Sequence, residues 1–323
     1  MMTMSKRRSV RLGTLLVAGA TMFVAPISTA TPAGAQTGPP TDGFVLLAGD
    51  GGIFTHNVPF AGAPASDPTR CPDNTTDRAK PNGTCVSIAL TPSGMGYWIL
   101  NGDTGKVYAY GTAVFHGDPA QQFVGVGREF VPNGVAIVGT PTAQGYWVLE
   151  VGLSGTGSVY HFGDAQSFGD TTTVAQQTHH AFVGVPVGLA AASDGKGYWE
   201  VHSDGGVFAF GSAKFYGSMA GRPLAGRIVG VTAAADGKGY WLVAADGGVF
   251  AFGSARFAGS MHGQALNAPV IGMVRNPKGP GYWLAAGDGG IFGFGGAPWI
   301  GSEGGFQLHR PIVAIAAKRT AVT

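Results

Sequence analysis

Five titratable residues in this sequence could supply the acid and the base for cleavage of a polysaccharide. They are Asp118, Glu129, Glu150, Asp170 and His179. Glycosidases commonly place two carboxylates on either side of the scissile bond. No spacing in the sequence shows that these side chains converge. A polysaccharide-acting enzyme, either a glycosidase or a lyase, is therefore kept as an alternative function.

A search for established catalytic and cofactor motifs gives no support for an enzyme. The chain contains no Gly-x-Ser-x-Gly elbow, no His-Glu-x-x-His, no P-loop and no dinucleotide fingerprint. Its eight histidines are scattered, and His179-His180 is the only adjacent pair. We therefore expect no cofactor and no metal, and binding is favoured over catalysis.

A second set of residues suits the recognition of a ligand. Amides, hydroxyls, a few charges and exposed aromatics fit a neutral polar ligand such as a glycan, or the rim of a protein interface. The candidate ligand-binding residues are Asp73, Asn74, Arg78, Gln121, Gln122, Arg128, Glu129, Phe130, Glu150, Asp170, Gln176, Gln177, His179 and His180.

The element that must position these residues is a repeat, clearest in Gly239-Tyr-Trp-Leu-Val-Ala-Ala-Asp-Gly-Gly-Val-Phe-Ala-Phe-Gly253. Asp-Gly between two apolar runs predicts a β-hairpin with a type I′ turn. The repeated Trp is expected to fill the layer between neighbouring units. The repeated Asp is expected to serve the turn, because it lacks the neighbouring oxygen ligands of a calcium loop. The Trp copies are Trp98, Trp147, Trp199, Trp241 and Trp283, with Val45 in a first, degenerate copy, and the Asp copies are Asp50, Asp204, Asp246 and Asp288.

The period of the repeat predicts the architecture. Trp199, Trp241 and Trp283 are 42 residues apart, and the fifth copy divides into strand-length pieces at 240–245, 249–252, 256–260 and 269–274. Four antiparallel strands in about 40–45 residues are typical of a β-propeller blade. The piece that precedes every other copy is missing before the first and present at 311–316. The sequence therefore predicts an all-β, six-bladed β-propeller of four-stranded antiparallel blades, closed by the C-terminal strand joining the N-terminal blade. An open solenoid would leave this offset unexplained.

The Gly-Tyr-Trp and Asp-Gly-Gly repeat resembles one found in exported actinobacterial proteins of β-propeller type. The resemblance covers essentially the whole chain after its leader, and no catalytic motif accompanies it. Blade 1 departs from the pattern with Phe44-Val45 in place of Tyr-Trp, and blade 3 lacks Asp-Gly-Gly.

The first 35 residues are predicted to be a signal peptide. Lys6-Arg7-Arg8 precedes an apolar segment from Leu12 to Ala25, and Ala33-Gly34-Ala35 offers a cleavage site. Residues 36–42 would form a short linker and 43–323 a single propeller domain. The leader holds four of the 20 basic residues and none of the 18 acidic ones, so the mature charge is 16 minus 18, or −2. We expect a secreted or cell-surface protein, monomeric, with no membrane insertion after cleavage and no nucleic-acid partner.

The two cysteines, Cys71 and Cys85, are the only ones in the chain. An even count in an exported protein predicts one disulfide. It would close a loop of about 15 residues, worth on the order of 3 kcal/mol in the chain-entropy model.

The longest connections of the repeat follow the third piece of blades 1, 2 and 3. In an up-and-down blade, these connections and the hairpins emerge on one face, so the enlarged loops would share a surface. We therefore expect a secreted, non-enzymatic binding module that recognises a cell-envelope polysaccharide or a protein through these loops. A purely structural envelope protein is a third possibility.

Overall fold

The structure is a computed structural model that describes residues 43–66, 70–71, 85–122, 133–152, 154–179 and 181–318. The predicted signal peptide and linker, residues 1–42, lie outside these ranges. In chain order the strands are β1 (Phe44–Ala48), β2 (Ile53–His56), β3 (Cys85–Leu90), β4 (Gly96–Asn101), β5 (Val107–Gly111), β6 (Gly134–Gly139), β7 (Gly145–Val151), β8 (Gly157–Gly163), β9 (Pro186–Ala191), β10 (Gly197–His202), β11 (Val207–Gly211), β12 (Ile228–Ala233), β13 (Gly239–Ala244), β14 (Val249–Gly253), β15 (Val270–Arg275), β16 (Tyr282–Ala286), β17 (Ile291–Phe294) and β18 (Ile312–Ala317). Two α-helices, α1 (Pro119–Gln122) and α2 (Thr171–Thr178), and a 3₁₀ turn at Pro64–Ser66 connect them.

These strands form six antiparallel sheets, one for each predicted blade. Each blade has an inner, a middle and an outer strand, as in the order β3-β4-β5 of blade 2. Blade 1 has the order β18-β1-β2, with Phe44 opposite Ala317 and Leu46 opposite Ile315. The inner strands contact one another in a ring, in which β18 lies between β15 and β3. The six-bladed propeller and its closure by the C-terminal strand are confirmed.

The propeller has two faces, the turn face and the loop face. The turn face carries the turns between inner and middle strands, such as residues 91–95 of blade 2. The loop face carries the hairpins between middle and outer strands, such as residues 102–106, and the connections into the next blade. The described parts of the enlarged connections of blades 1, 2 and 3 therefore share the loop face.

The middle strands form the core because their side chains are buried on both sides of the sheet. Successive side chains of a strand point to opposite faces, so Tyr and Trp of Gly-Tyr-Trp pack against different neighbouring blades. Tyr146 of β7 packs with Trp98 of blade 2, at a ring-centroid distance of 5.5 Å. Trp147 packs with Tyr198 of blade 4, at 5.8 Å. The repeated aromatics are packing residues, as the sequence predicts.

The outermost predicted strand is not a strand, so each sheet has three strands instead of four. In blade 5 the piece predicted at 256–260 runs outside the sheet, and side chains satisfy its backbone. Trp241 Nε1 donates to the Arg256 carbonyl at 2.9 Å. The hydroxyl of Tyr282, from blade 6, accepts from Ala258 N at 3.1 Å and donates to the Gly259 carbonyl at 2.6 Å. Side-chain hydrogen bonds take the place of a fourth ladder, and we call this piece the outer segment.

The same tyrosine bridge recurs between successive blades. The hydroxyl groups that join a middle strand to the outer segment of the preceding blade belong to Tyr97, Tyr146, Tyr198, Tyr240 and Tyr282. In each case one hydroxyl accepts a backbone N–H and donates to a backbone carbonyl.

The hairpin turns differ from the type I′ geometry that the sequence suggests. In blade 5 Gly247 N donates to the Ala244 carbonyl at 2.9 Å, and Gly247 has φ +80°. Neither Ala245 nor Asp246 has a positive φ. This is a type I turn closed by a left-handed glycine, which also fits the twist of a hairpin. Asp246 Oδ1 accepts from Gly248 N at 3.1 Å, so the repeated Asp serves the turn.

We predict that Tyr240→Phe destabilises the protein by about 1 kcal/mol, because it leaves two partly buried backbone groups without their hydroxyl partner. The change removes the hydroxyl that accepts from Tyr216 N at 3.1 Å and donates to the Gly217 carbonyl at 2.6 Å. Urea unfolding measures the effect. Tyr216→Phe is the control, because its hydroxyl makes no hydrogen bond to the described residues. Equal unfolding free energies for the two variants would contradict the bridge.

Candidate functional site

The candidate site is the loop face of blades 1, 2 and 3, where the three enlarged connections precede β3, β6 and β9. The described parts of these connections include the cysteine pair, α1 and α2. Several of the predicted residues lie outside the described ranges: Asp73, Asn74, Arg78, Arg128, Glu129, Phe130 and His180. For these residues the sequence-based prediction stands untested.

The first connection is joined to blade 2 by a disulfide. Cys71 and Cys85 are bonded, and Cys85 is the first residue of β3. The Arg70 guanidinium lies 5.5 Å from the ring centroid of Tyr108 and donates to the Tyr110 hydroxyl at 3.1 Å. The disulfide prediction is confirmed, and Arg70 fixes the same end of the loop on the aromatic edge of the blade.

The second and third connections each begin with an aspartate that holds a helix. Asp118 Oδ1 accepts from Gln121 N at 3.0 Å, and its Oδ2 accepts from Val107 N at 3.4 Å. Asp170 does the same for α2, since its Oδ1 accepts from Thr173 N at 2.7 Å and its Oδ2 from Val159 N at 3.1 Å. Both oxygens of each carboxylate therefore serve the backbone, as at a helix N-cap. These residues hold loops in place rather than presenting free acids.

A buried polar network fixes α2 to blade 4. The Thr171 hydroxyl donates to Glu200 Oε1 at 2.5 Å and accepts from Gly157 N at 2.7 Å. His202 Nε2 lies 2.9 Å from the same Glu200 oxygen, and its Nδ1 lies 3.0 Å from the Gly184 carbonyl oxygen. Thr171, Glu200 and His202 are all buried. This network orients the third loop, and its seclusion from solvent does not suit attack on a polymer.

Glu150 is the second-to-last residue of its middle strand, β7. Its side chain is 4% exposed, and Oε1 makes no hydrogen bond to the described residues. Burial raises the pKa of Glu150 to about 7. A carboxyl group in such surroundings is protonated more readily than a surface glutamate.

Sequence reasoning missed a pattern that links these contacts. Asn101, Glu150 and His202 occupy one register position at or next to the end of successive middle strands, and the same position is Ala in blades 1, 5 and 6. All three are buried. Asn101 Nδ2 donates to the Arg70 carbonyl at 2.7 Å, so it holds the first loop as His202 holds the third. Aligning the blades at this position could have revealed these residues from the sequence.

The remaining predicted residues are on the surface. Gln121 and Gln122 of α1 are exposed, as are Gln176, Gln177 and His179 at the end of α2. His179 has a φ of +54° and ends the helix with its N–H donating to the Ala175 carbonyl. On blades 2 and 3 the described loop face thus presents amides and the His179 imidazole above anchors that are buried.

The carboxylates and imidazoles of the described residues do not gather at a metal centre or at the central channel. No group of three or more His, Cys, Asp or Glu side chains within them is arranged to hold a metal ion. The central channel, about 270 Å³, is lined by the inner strands, and neither a carboxylate nor an imidazole is among its lining residues. None of the helices in the described ranges is long and apolar enough to cross a membrane.

We predict that Glu150→Gln makes stability less dependent on pH. The folded pKa of about 7 lies above the usual 4.5, so the protonated form favours folding. In the wild type this contribution is complete below pH 4.5 and lost as pH rises through 7. As pH rises from 5 to 8, the unfolding free energy of Glu150→Gln should therefore increase by up to about 3 kcal/mol relative to that of the wild type. Urea unfolding of the variant and the wild type at pH 5 and at pH 8 measures this. If the variant and the wild type differ in unfolding free energy by the same amount at both pH values, the burial of the carboxylate is contradicted.

We predict that Thr171→Val releases α2. The buried Glu200 carboxylate loses its hydroxyl donor, and hydrogen bonds to charged groups contribute about 1.5–3 kcal/mol. Amide hydrogen exchange in α2 should accelerate, and the unfolding free energy should fall. Thr178→Val is the control, since its hydroxyl bonds an exposed carbonyl of the same helix at 2.7 Å. Equal exchange in the two variants would show that the network does not hold the helix.

Comparison with known proteins supports the fold. No family model matches the chain, and no curated protein sequence matches it. Among solved structures, the chain is similar to one in the "Crystal structure of Nidogen/Laminin Complex", with a TM-score of 0.51 and 8% identity. The match covers 85% of this chain and 97% of that chain. At this identity the likeness shows the fold alone, and the fold is that of a β-propeller.

Proposed function

We propose that the protein is an exported, non-enzymatic binding module that recognises a cell-envelope polysaccharide or a protein through the loop face of blades 1–3. The observation that carries this proposal is the set of buried polar anchors under the three long loops. Asn101 and His202 bond the first and third loops directly, at a strand position that is Ala in blades 1, 5 and 6, whose inner strands follow shorter connections. Buried polar groups of this kind fix the backbone that they bond, here the described ends of the first and third loops.

The chemistry of the exposed residues agrees with recognition of a polar surface. The amides of Gln121, Gln122, Gln176 and Gln177 can each donate and accept hydrogen bonds. The mature charge of −2 leaves no strong electrostatic preference. The similar fold in the nidogen–laminin complex provides a precedent for a propeller in a protein assembly.

Catalysis is the weaker alternative on this face. Of the carboxylates that could act on a polysaccharide, Asp118 and Asp170 are bonded to backbone N–H groups and Glu150 is buried. A glycosidase needs an acid and a second carboxylate facing the substrate. Asp118, Asp170 and Glu150 do not form such a pair on this face.

Export is supported by the Cys71–Cys85 disulfide, because disulfides persist in oxidising compartments. The basic and apolar leader of residues 1–35 is the other support. We propose a location at the cell surface or in the medium.

The test is a binding experiment with an envelope fraction and a glycan array. The variant Gln176→Ala/Gln177→Ala/His179→Ala removes the exposed polar end of α2. We expect retention on the ligand to fall at least about tenfold, the effect of losing roughly 1.4 kcal/mol of contacts. Binding to an array glycan would identify a polysaccharide, and binding to a protease-sensitive envelope component a protein.

The matched control is His262→Ala/Gln264→Ala, which removes the same residue types from the short loop of blade 5, where both are exposed. It should bind as the wild type does. If both variants lose the same fraction of binding, the site lies elsewhere. Release of labelled saccharide during the assay would favour the enzymatic alternative.

A further inference from the structure

The turn from inner to middle strand in blade 6 departs from its counterparts. In blade 5 the turn reads Ala-Ala-Asp-Gly-Lys, and Asp236 Oδ1 accepts from Lys238 N at 2.9 Å. In blade 6 it reads Asn-Pro-Lys-Gly-Pro, and Pro280 has no N–H to make the equivalent bond. Gly281, which follows, has a φ of +96°, whereas Gly239 does not have a positive φ. The backbone of this turn therefore takes a different course.

The altered turn does not close against the preceding blade. A Cβ atom placed on Gly237 of blade 5 would clash with the Ser193 hydroxyl of blade 4. A Cβ atom on the equivalent Gly279 of blade 6 would meet only Asn276 of its own turn, at 3.5 Å. The turn of blade 6 thus stands away from blade 5.

The space left behind is a cavity of about 480 Å³ between blades 5 and 6, on the turn face. Small-molecule sites usually measure about 300–1,000 Å³. Trp241 lines the cavity and is 8% exposed, whereas Trp98, Trp147 and Trp199 are fully buried. The cavity therefore reaches an indole ring that is sealed in those blades.

The lining combines aromatic rings with planar polar groups. Phe257 stands at the cavity with 61% of its surface exposed. Asp236 and Arg256 also line it, and both are exposed. The Ser254 hydroxyl donates to Asp236 Oδ1 at 2.7 Å, which holds this carboxylate in one orientation. An aromatic face beside a carboxylate and a guanidinium suits a pyranose ring, whose C–H face stacks while neighbouring hydroxyls form paired hydrogen bonds.

We propose that the cavity between blades 5 and 6 binds one pyranose unit, stacked on Phe257 and hydrogen-bonded by Asp236 and Arg256. This site lies on the turn face, at the opposite end of the blades from the long loops. It is therefore independent of the function proposed for the loop face.

The experiment titrates a panel of methyl pyranosides into the protein by calorimetry and saturation-transfer NMR. The panel contains neutral hexoses, N-acetylhexosamines and hexuronic acids. We expect saturable binding of at least one sugar, with a Kd on the order of 1 mM. Phe257→Ala should weaken it at least about tenfold, and Asp236→Asn should weaken it similarly.

Blade 4 supplies matched controls for both substitutions. Phe215 occupies the equivalent outer position and is 59% exposed, and Asp194 makes the equivalent bonds to Lys196 N and the Ser212 hydroxyl. Phe215→Ala and Asp194→Asn should leave the Kd unchanged. Because the Phe side chains are largely exposed, neither Phe variant should unfold.

A further variant closes the cavity without removing a lining side chain of blade 5. Residues 276–280 are replaced by Ala-Ala-Asp-Gly-Lys, the sequence of the blade 5 turn, and binding should be lost while the fold is kept. Absence of saturable binding for every sugar, or an unchanged Kd in Phe257→Ala, would overturn the proposal. The α2 triple variant should retain sugar binding here, so the two sites can fail separately.

Discussion

The structure depends on one hydrogen-bonding group, the tyrosine hydroxyl of Gly-Tyr-Trp. The outer segment of each blade lies outside the sheet, so its N–H and carbonyl groups would have no ladder partner. In blade 5, for example, the Tyr282 hydroxyl of the next blade bonds both Ala258 N and the Gly259 carbonyl. A buried backbone group without a partner costs about as much as a lost hydrogen bond. The same side chain thus completes one blade and joins it to its neighbour. The outer segment therefore finds hydrogen-bond partners without forming a fourth strand of the sheet.

The closing seam between blades 6 and 1 is the exception to this arrangement. Phe44 stands in the tyrosine position and has no hydroxyl, and His56 takes the register position that Phe252 has in blade 5. The His56 ring lies against Gly301, where a Cβ atom would clash with Nδ1, and His56 Nε2 lies 3.2 Å from Glu303 Oε1. The β18–β1 ladder joins the chain ends within blade 1 itself. Closure therefore depends on a strand ladder instead of the tyrosine bridge, and at this seam His56 packs against the outer segment of blade 6.

Departures from the repeat occur on both faces and have different physical consequences. On the loop face, polar residues replace Ala at a strand end in blades 2, 3 and 4, and they bond or underlie the long connections. On the turn face, the blade 6 turn carries two prolines, and a Cβ atom on its Gly279 would meet no atom of blade 5, whereas one on Gly237 of blade 5 would meet Ser193 of blade 4. The first change fixes additional chain on the surface, and the second opens a cavity between blades. Both arise at positions where the sequence breaks its own period.

The sequence by itself determined the number of blades, the ring closure, the disulfide and the packing role of the aromatics, because each follows from periodicity or from pairing along the chain. It predicted a fourth strand wrongly, since strand propensity in a piece such as 256–260 does not reveal that Tyr282 and Trp241 will take its hydrogen bonds. It also treated Asp118, Asp170 and Glu150 as candidate acids. Only the tertiary structure placed the aspartates at loop anchors and Glu150 in a buried position. Each aspartate accepts from an N–H three residues after it and from one 11 residues before it, in the outer strand, and residue type alone does not reveal that pairing. The cavity at Trp241 is likewise a tertiary feature, because residues of both blade 5 and blade 6 line it.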